Sequence, residues 1–266
     1  STFFMGLNVN ITDKNYKRLI LKVGLKGLSY AIFDSLSGKI IQVDAIGFKN
    51  QVSTEDELKL AFETNSALTE NYDEVMIIHD NNLSTFVPVA LFEEELLGSY
   101  LQYNTKVFET DLFAFDELPQ HQINTVYVPY VNINNFLLDQ FETFDYKHAS
   151  TILVGKFLEL SKNKEEKQMF VYFSDGRFEI VVVQNQKLLL YNSFDYITST
   201  DFIYYLLFTA EQLQLNPEVF NLYLLGQISD EDENFKMAYK YVRNTVLHTQ
   251  FNTDFSLETI RTHFIL

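Results

Sequence analysis

The stretch that decides the fold is FSDGRFEIVVVQNQKLLLYNSF, residues 173–194. Asp175-Gly176 is a hairpin dipeptide, since both central residues of a type I′ turn need positive φ. It joins the strand MFVYF (169–173) to RFEIVVV (177–183). Asn185-Gln186 then turns the chain into KLLLYNSF (187–194). So much Val, Leu, Ile and Phe predicts strands packed on both faces or nearly so. In TSTDFIYYLLFTAEQLQLN (198–216), Ser and Thr offer N-caps, and Phe202, Leu206, Leu207, Ala210 and Leu213 fall at helical spacing. The apolar strand NLYLLG (221–226) follows. SDEDENFKMAYKYV (229–242) opens with a Ser229…Asp232 capping-box spacing and predicts a helix.

The N-terminal half repeats this order. RLILKVGLK (18–26) passes through Lys26-Gly27 into LSYAIFD (28–34), and Ser37-Gly38 turns into KIIQVDAIGF (39–48). STEDELKLAFETNSALTEN (53–71) is the helix, capped by Ser53 or Thr54, and DEVMIIHD (73–80) the next strand. Gly27 and Gly176, like Ile32 and Val181, lie 149 positions apart. Each half therefore predicts a mixed sheet, an antiparallel meander extended by a parallel strand through a helical crossover. Between them Phe92, Leu96, Leu97 and Tyr100 suggest a helix, Val126 to Tyr130 a strand, and Phe136 to Phe144 another helix. HASTILVGKFLELSKN (148–163) reads as a helix entering the second half, and KNKEEKQ as a solvated charge run.

Composition narrows the function. Acidic residues outnumber basic ones 36 to 20, for a net charge of −16. Such a surface repels phosphate backbones and anionic lipid, which disfavours nucleic-acid partners. No apolar run approaches the roughly 18 residues of a membrane span. The opening STFFMGLNVNITDKNYK has no basic region leading into an apolar stretch and cleavage site. With no cysteine, thiolate chemistry and disulfides are excluded, and a cytoplasmic location is expected. Nine glycines in 266 residues are few for loops that must approach phosphates closely.

Two tandem mixed sheets of this kind resemble the duplicated ribonuclease-H-like fold of actin-like ATPases. More narrowly, LFEEELLGSYLQYNT (91–105), HAST (148–151) and YNSFDYITSTDFIYYLLFTAEQLQLNPEVFNLYLLGQI (191–228) resemble a Bacteroidetes-group family classed as a domain of unknown function with that fold. The resemblance implies an α/β chain of two lobes around a cleft. Residues 1–145 would form the first, with a subdomain inserted at about 84–125, and residues 146–266 the second.

In active members of the superfamily, ATP and Mg²⁺ occupy the cleft, with an Asp-x-Gly pattern leading into each phosphate hairpin. Here Gly24 is kept but Lys22 stands in the acidic slot, and a lysine does not hold hydrated magnesium. In the second half Phe173 falls at or beside that slot, with Asp175 one or two residues away. Of the two glycines of the adenosine motif only Gly226 remains, followed by Gln227. The resemblance thus places any cofactor, ATP or another anion, against Lys22, Gly24, Lys26, Gly27, Asp175, Gly176, Arg177 and Gly226. Lys26 and Arg177 would form a local anion site if both hairpin tips face one cleft. The eroded motifs favour a scaffold acting through a protein partner. The competing expectation is a magnesium-dependent ATPase or small-molecule kinase drawing carboxylates from Asp34, Asp44, Asp175 or Asp195.

Blander meanings accompany each candidate. Asp175-Gly176 commonly just closes a hairpin. His79-Asp80 suits a metal or proton-transfer pair with Asp34 or Asp44, or an ordinary strand-end histidine in a turn. Asp230 to Glu233 suits a cation, or the N-terminal dipole of a helix. Tyr204, Tyr205 and Phe208 suit an interface, or burial against the inserted subdomain. No Gly-x-Ser-x-Gly elbow supports a hydrolase triad.

Overall fold

The computed structural model describes residues 14–49, 51–103, 106 and 112–248. The opening residues 1–13, on which the expectation about a leader segment rests, lie outside that set. β1 (Lys17–Val23), β2 (Gly27–Asp34) and β3 (Ile40–Gly47) form an antiparallel meander. α1 (Thr54–Thr64), capped by Ser53 on Asp56 N, crosses over, and β4 (Glu74–His79) returns parallel to β1. The chain then leaves for a small antiparallel sheet of β5 (Ser84–Pro88), β6 (Ala114–Leu118) and β7 (Ile123–Tyr127), covered by α2 (Leu97–Gln102). α3 (Val131–Gln140) brings it back, and β8 (Asp145–His148) pairs parallel with β4.

α4 (Ala149–Leu160) leads into the second large sheet. β9 (Gln168–Ser174), β10 (Arg177–Gln184) and β11 (Lys187–Asp195) repeat the meander. α5 (Ser199–Gln212), β12 (Asn221–Gly226), α6 (Glu233–Tyr241) and β13 (Asn244–Leu247) complete it. The two sheets run β3-β2-β1-β4-β8 and β11-β10-β9-β12-β13, with matching strand directions. Both carry a register shift at the same place, after Ile32 in β2 and after Val182 in β10.

That match corrects the spacing. Gly24 closes on Gly27 through its N–H (3.0 Å) where Ser174 pairs with Arg177, so the correspondence steps by 150 positions, not 149. The first tip is therefore Leu25-Lys26 between two glycines, not Lys26-Gly27. Turn types also differ from expectation. Gly176 has φ +69° but Asp175 is not left-handed, so this is no type I′ turn. Asn185 and Gln186 are both left-handed (φ 42° and 64°) and supply the turn of that kind.

The central strands of each large sheet are buried on both faces. By contrast β3 is mostly exposed and no residue of β11 is fully buried, so the third strand of each meander is not packed on both faces as expected. Leu19, Leu21 and Val23 pack under Leu58 and Phe62 of α1 and Leu137 of α3, while Ile20, Phe33 and Ile78 meet Ile152 of α4. In the second sheet Val171 and Phe173 lie under Phe202 and Leu206 of α5. Phe170, Val181 and Leu225 face Leu153, Val154 and Phe157 of α4, and Phe157 stacks on Phe170 at 4.3 Å. α4 is thus wedged between the sheets and is apolar nearly all round, as a helix buried on several sides must be.

Several element boundaries differ from those the pattern implied. α3 begins five residues before Phe136, and α6 begins at Glu233 because Ser229 N and Oγ both donate to Asp232, closing a turn ahead of the helix. The strand expected at 126–130 lies at 123–127. DYKH (β8) and NTVL (β13) were not foreseen as strands, since neither short polar edge carries an apolar run.

Candidate functional site

A groove of about 810 Å³ runs between the two sheets and is lined by both hairpin tips. Of the eight residues expected there, Lys22, Gly24, Lys26, Gly27, Asp175, Arg177 and Gly226 line it. Gly176 sits beside it, where a Cβ would come within 3.1 Å of Lys26 Nζ. The tips touch. Lys26 Nζ donates to Asp175 O (2.8 Å) and lies 3.3 Å from Asp175 Oδ2. Gly226 has φ +83°, and a Cβ there would fall 2.2 Å from Phe173 O, so this glycine is required by the fold whatever the ligand.

Strand pairing settles the acidic slots. Lys22 opposes Ser29 as Tyr172 opposes Glu179, so the counterpart of Lys22 is Tyr172. Phe173 is instead fully buried under α5. Lys22 is half-buried at the groove floor. Burial works against its charge, but Tyr172, Asp80 and Glu179 hold its pKa above the usual lysine value.

Arg177 ties the halves together on that floor. Its Nη2 bonds Asp80 Oδ1, just beyond β4, and its Nε bonds Glu179 Oε1 at 2.8 Å. Burial opposes the guanidinium charge, and the two carboxylates outweigh it. Asp80 is also desolvated, yet Arg177 and Lys22 hold its pKa below the normal carboxylate value. For Glu179 burial wins and the pKa is raised. Lys26 and Arg177 do line one groove, and each is met there by carboxylates. Three cations (Lys22, Lys26, Arg177) and four aspartates (Asp44, Asp80, Asp175, Asp195) line the groove.

Behind the floor lies a buried polar cluster centred on HAST (148–151), a stretch that carries the resemblance but to which the sequence assigned no role at the site. Ser150 N donates to His148 Nδ1 (3.0 Å), so Nδ1 is an acceptor and the proton sits on Nε2, which donates to Asn81 Oδ1 (3.0 Å). The histidine thereby caps α4 with its own ring. Burial holds its pKa down to about 3, so it is neutral and a poor base at ordinary pH. Asp116 accepts from His148 N (2.8 Å), Thr151 Oγ1 (2.6 Å) and Tyr127 OH (3.0 Å), fastening the small sheet to α4. Ser84 Oγ lies 3.0 Å from Ser150 Oγ and 3.3 Å from Tyr191 OH.

Other candidates separate. His79 is fully buried within the first sheet, not in a turn, and burial holds its pKa to about 4. Asp34 is at the opposite end of β2 from the groove, capping Leu36 N and Ser37 N. Asp195 Oδ2 accepts from Asn82 Nδ2 (3.0 Å) across the groove. Among the described residues no His, Asp or Glu cluster suits a metal, and no helix is long and apolar enough to cross a membrane. The cluster Asp230 to Glu233 is the turn and first residue of α6. Of the α5 aromatics, Tyr205 stacks on Phe194 at 4.5 Å, while Tyr204 and Phe208 are exposed.

Comparison with solved structures places the fold. A Bacteroides thetaiotaomicron VPI-5482 protein, described as having an actin-like ATPase fold and unknown function, matches with a TM-score of 0.87 at 23% identity, over 97% of this chain and 99% of that one. A chain of a PilM–PilN type IV pilus biogenesis complex matches with a TM-score of 0.50 at 12% identity, over 93% and 97%. No curated protein matches the sequence. The chain has the actin-like ATPase fold, and residues 7–245 match the model of the DUF3822 proteins of unknown function, the family to which it belongs.

Proposed function

We propose that this chain is a non-catalytic or weakly nucleotide-binding actin-like scaffold that acts through protein contacts, its two lobes, residues 1–145 and 146–266, arising by internal duplication. The carrying observation is the occupancy of the hairpin tips. Lys26 holds Asp175, and Arg177 holds Asp80 and Glu179. A phosphate entering there has to displace carboxylates from both cations, and the position that would orient magnesium is a lysine. Any residual nucleotide site is formed by the groove residues Lys22, Gly24, Lys26, Gly27, Asp175, Gly176, Arg177 and Gly226. The matched chain of the PilM–PilN complex carries this fold within an assembly with another protein, which supports a role through contacts. The cysteine-free, acidic composition supports a cytoplasmic location.

The competing reading, a magnesium-dependent ATPase or kinase, draws on the four aspartates lining the groove. Three of them are engaged by Arg177, Lys26 and Asn82. Thermal melting with ATP and magnesium separates the two. A ligand at a hundred times its Kd adds about 2.7 kcal/mol, which at ~2–4 °C per kcal/mol is several degrees. The scaffold reading expects no magnesium-dependent shift at millimolar ATP. A shift of several degrees that needs the metal overturns it.

A further inference from the structure

Below the groove, between β1, β9, β10 and the start of α4, lies a cavity of about 50 Å³. It opens on the groove, because Lys22, Asp80, Asn81, Tyr172, Ser174 and Arg177 line both. A single water needs about 10–15 Å³ on this scale, so it has room for a few waters or a ligand of about five heavy atoms.

Its wall holds an unmet hydrogen-bonding demand. Glu179 is 5% exposed, and its Oε1 takes Arg177 Nε (2.8 Å) and Ser193 Oγ (3.3 Å). Its Oε2 is buried and has no partner. A desolvated carboxylate oxygen without a donor is costly, and such atoms mark places where a ligand or water belongs. Lys22 lines the same cavity and makes no ion pair within 4.0 Å with any described carboxylate.

Charge selects the ligand class. Two cations, Lys22 and Arg177, and two anions, Asp80 and Glu179, surround the space, and His148 is neutral. A phosphate or carboxylate ion entering alone meets both carboxylates, and a lone amine meets both cations. A molecule with one charge of each sign satisfies both. We infer that this cavity is a binding site for a small zwitterion of the α-amino acid class, its ammonium donating to Glu179 Oε2 and its carboxylate accepting from Lys22 Nζ. A longer side chain would extend into the groove.

The inference shares Lys22, Arg177 and Glu179 with the scaffold reading but fails separately from it, since the magnesium-ATP melt probes the hairpin tips and not Glu179 Oε2. The test is titration of the full chain with glycine, L-alanine and L-serine by calorimetry and ligand-observed NMR. Acetate, methylammonium, acetamide and inorganic phosphate are run beside them. Saturable binding of at least one amino acid is expected, with each single-charge analogue and acetamide weaker by about tenfold or more. Glu179→Gln keeps the side-chain shape and is expected to weaken binding by about tenfold, as is Lys22→Met. If Lys22→Met fails to fold, the parent panel and Glu179→Gln decide alone. Absence of saturation by all three amino acids up to roughly 10 mM, a Kd whose binding energy is below ~3 kcal/mol, overturns the site. So does acetamide, acetate or phosphate binding equally well, or binding unchanged in Glu179→Gln.

Discussion

Replacing Arg177 by alanine tests the electrostatic core of the structure. The side chain is 17% exposed and bridges Asp80 and Glu179, whose side chains are 26% and 6% exposed. Its loss leaves two largely desolvated carboxylates facing each other across the halves. Breaking a buried ion pair from one side costs about 3–5 kcal/mol. For a chain of this length that is a fall in Tm of roughly 6–20 °C, at ~2–4 °C per kcal/mol. The pH dependence carries a sign. Glu179 already has a raised pKa in the fold. The fold makes this carboxyl harder to ionise than the unfolded chain does, so the stability it contributes is present below the unfolded value and is lost as pH rises through the folded one. Without Arg177 the folded value moves higher, so the deficit of the variant should widen as pH rises from about 5 toward 8. Urea unfolding of parent and variant at several pH values reads this directly. Lys26→Ala is the control, because the Lys26–Asp175 pair is 60% and 77% exposed. An exposed pair contributes about 0–1 kcal/mol. If Arg177→Ala costs no more than Lys26→Ala, or its deficit shrinks with rising pH, the buried-bridge argument is wrong.

Other outcomes follow from the same geometry. The His148 pKa is lowered to about 3 and that of His79 to about 4. Both groups therefore lend stability above about pH 6.5 that disappears as pH falls toward those values, and NMR should show neither ring titrating between pH 8 and 5. His148→Ala removes the cap of α4 and the Asn81 bond, and should cost about 2 kcal/mol in urea unfolding, with little change if Asn81 and Ser150 find water instead. Gly226→Ala combines a left-handed backbone with a Cβ driven onto Phe173 O. It should cost more than about 2 kcal/mol, and a variant with unchanged Tm would discard the steric account.

Much of this architecture was written in the chain. The meanders at 18–48 and 169–194 declare themselves through runs of Val, Leu, Ile and Phe and through turns of Asp-Gly, Asn-Gln or Ser-Gly, although only their first two strands are buried on both faces and the third strand of each is exposed or half-buried. Lys22 and the single Gly226 were visible as departures from the pattern that the resemblance implied. The edge strands DYKH and NTVL were not legible, since an edge borrows its conformation from the neighbour it pairs with. Nor was the one-residue slip that makes Tyr172, not Phe173, the counterpart of Lys22, because only cross-strand pairing fixes register. The pairing of Lys26 with Asp175 and of Arg177 with Asp80 was beyond the sequence for the same reason. Charges about a hundred or more positions apart carry no mark of proximity, and whether a cation stays free or is neutralised depends on what the tertiary fold brings within a few ångströms.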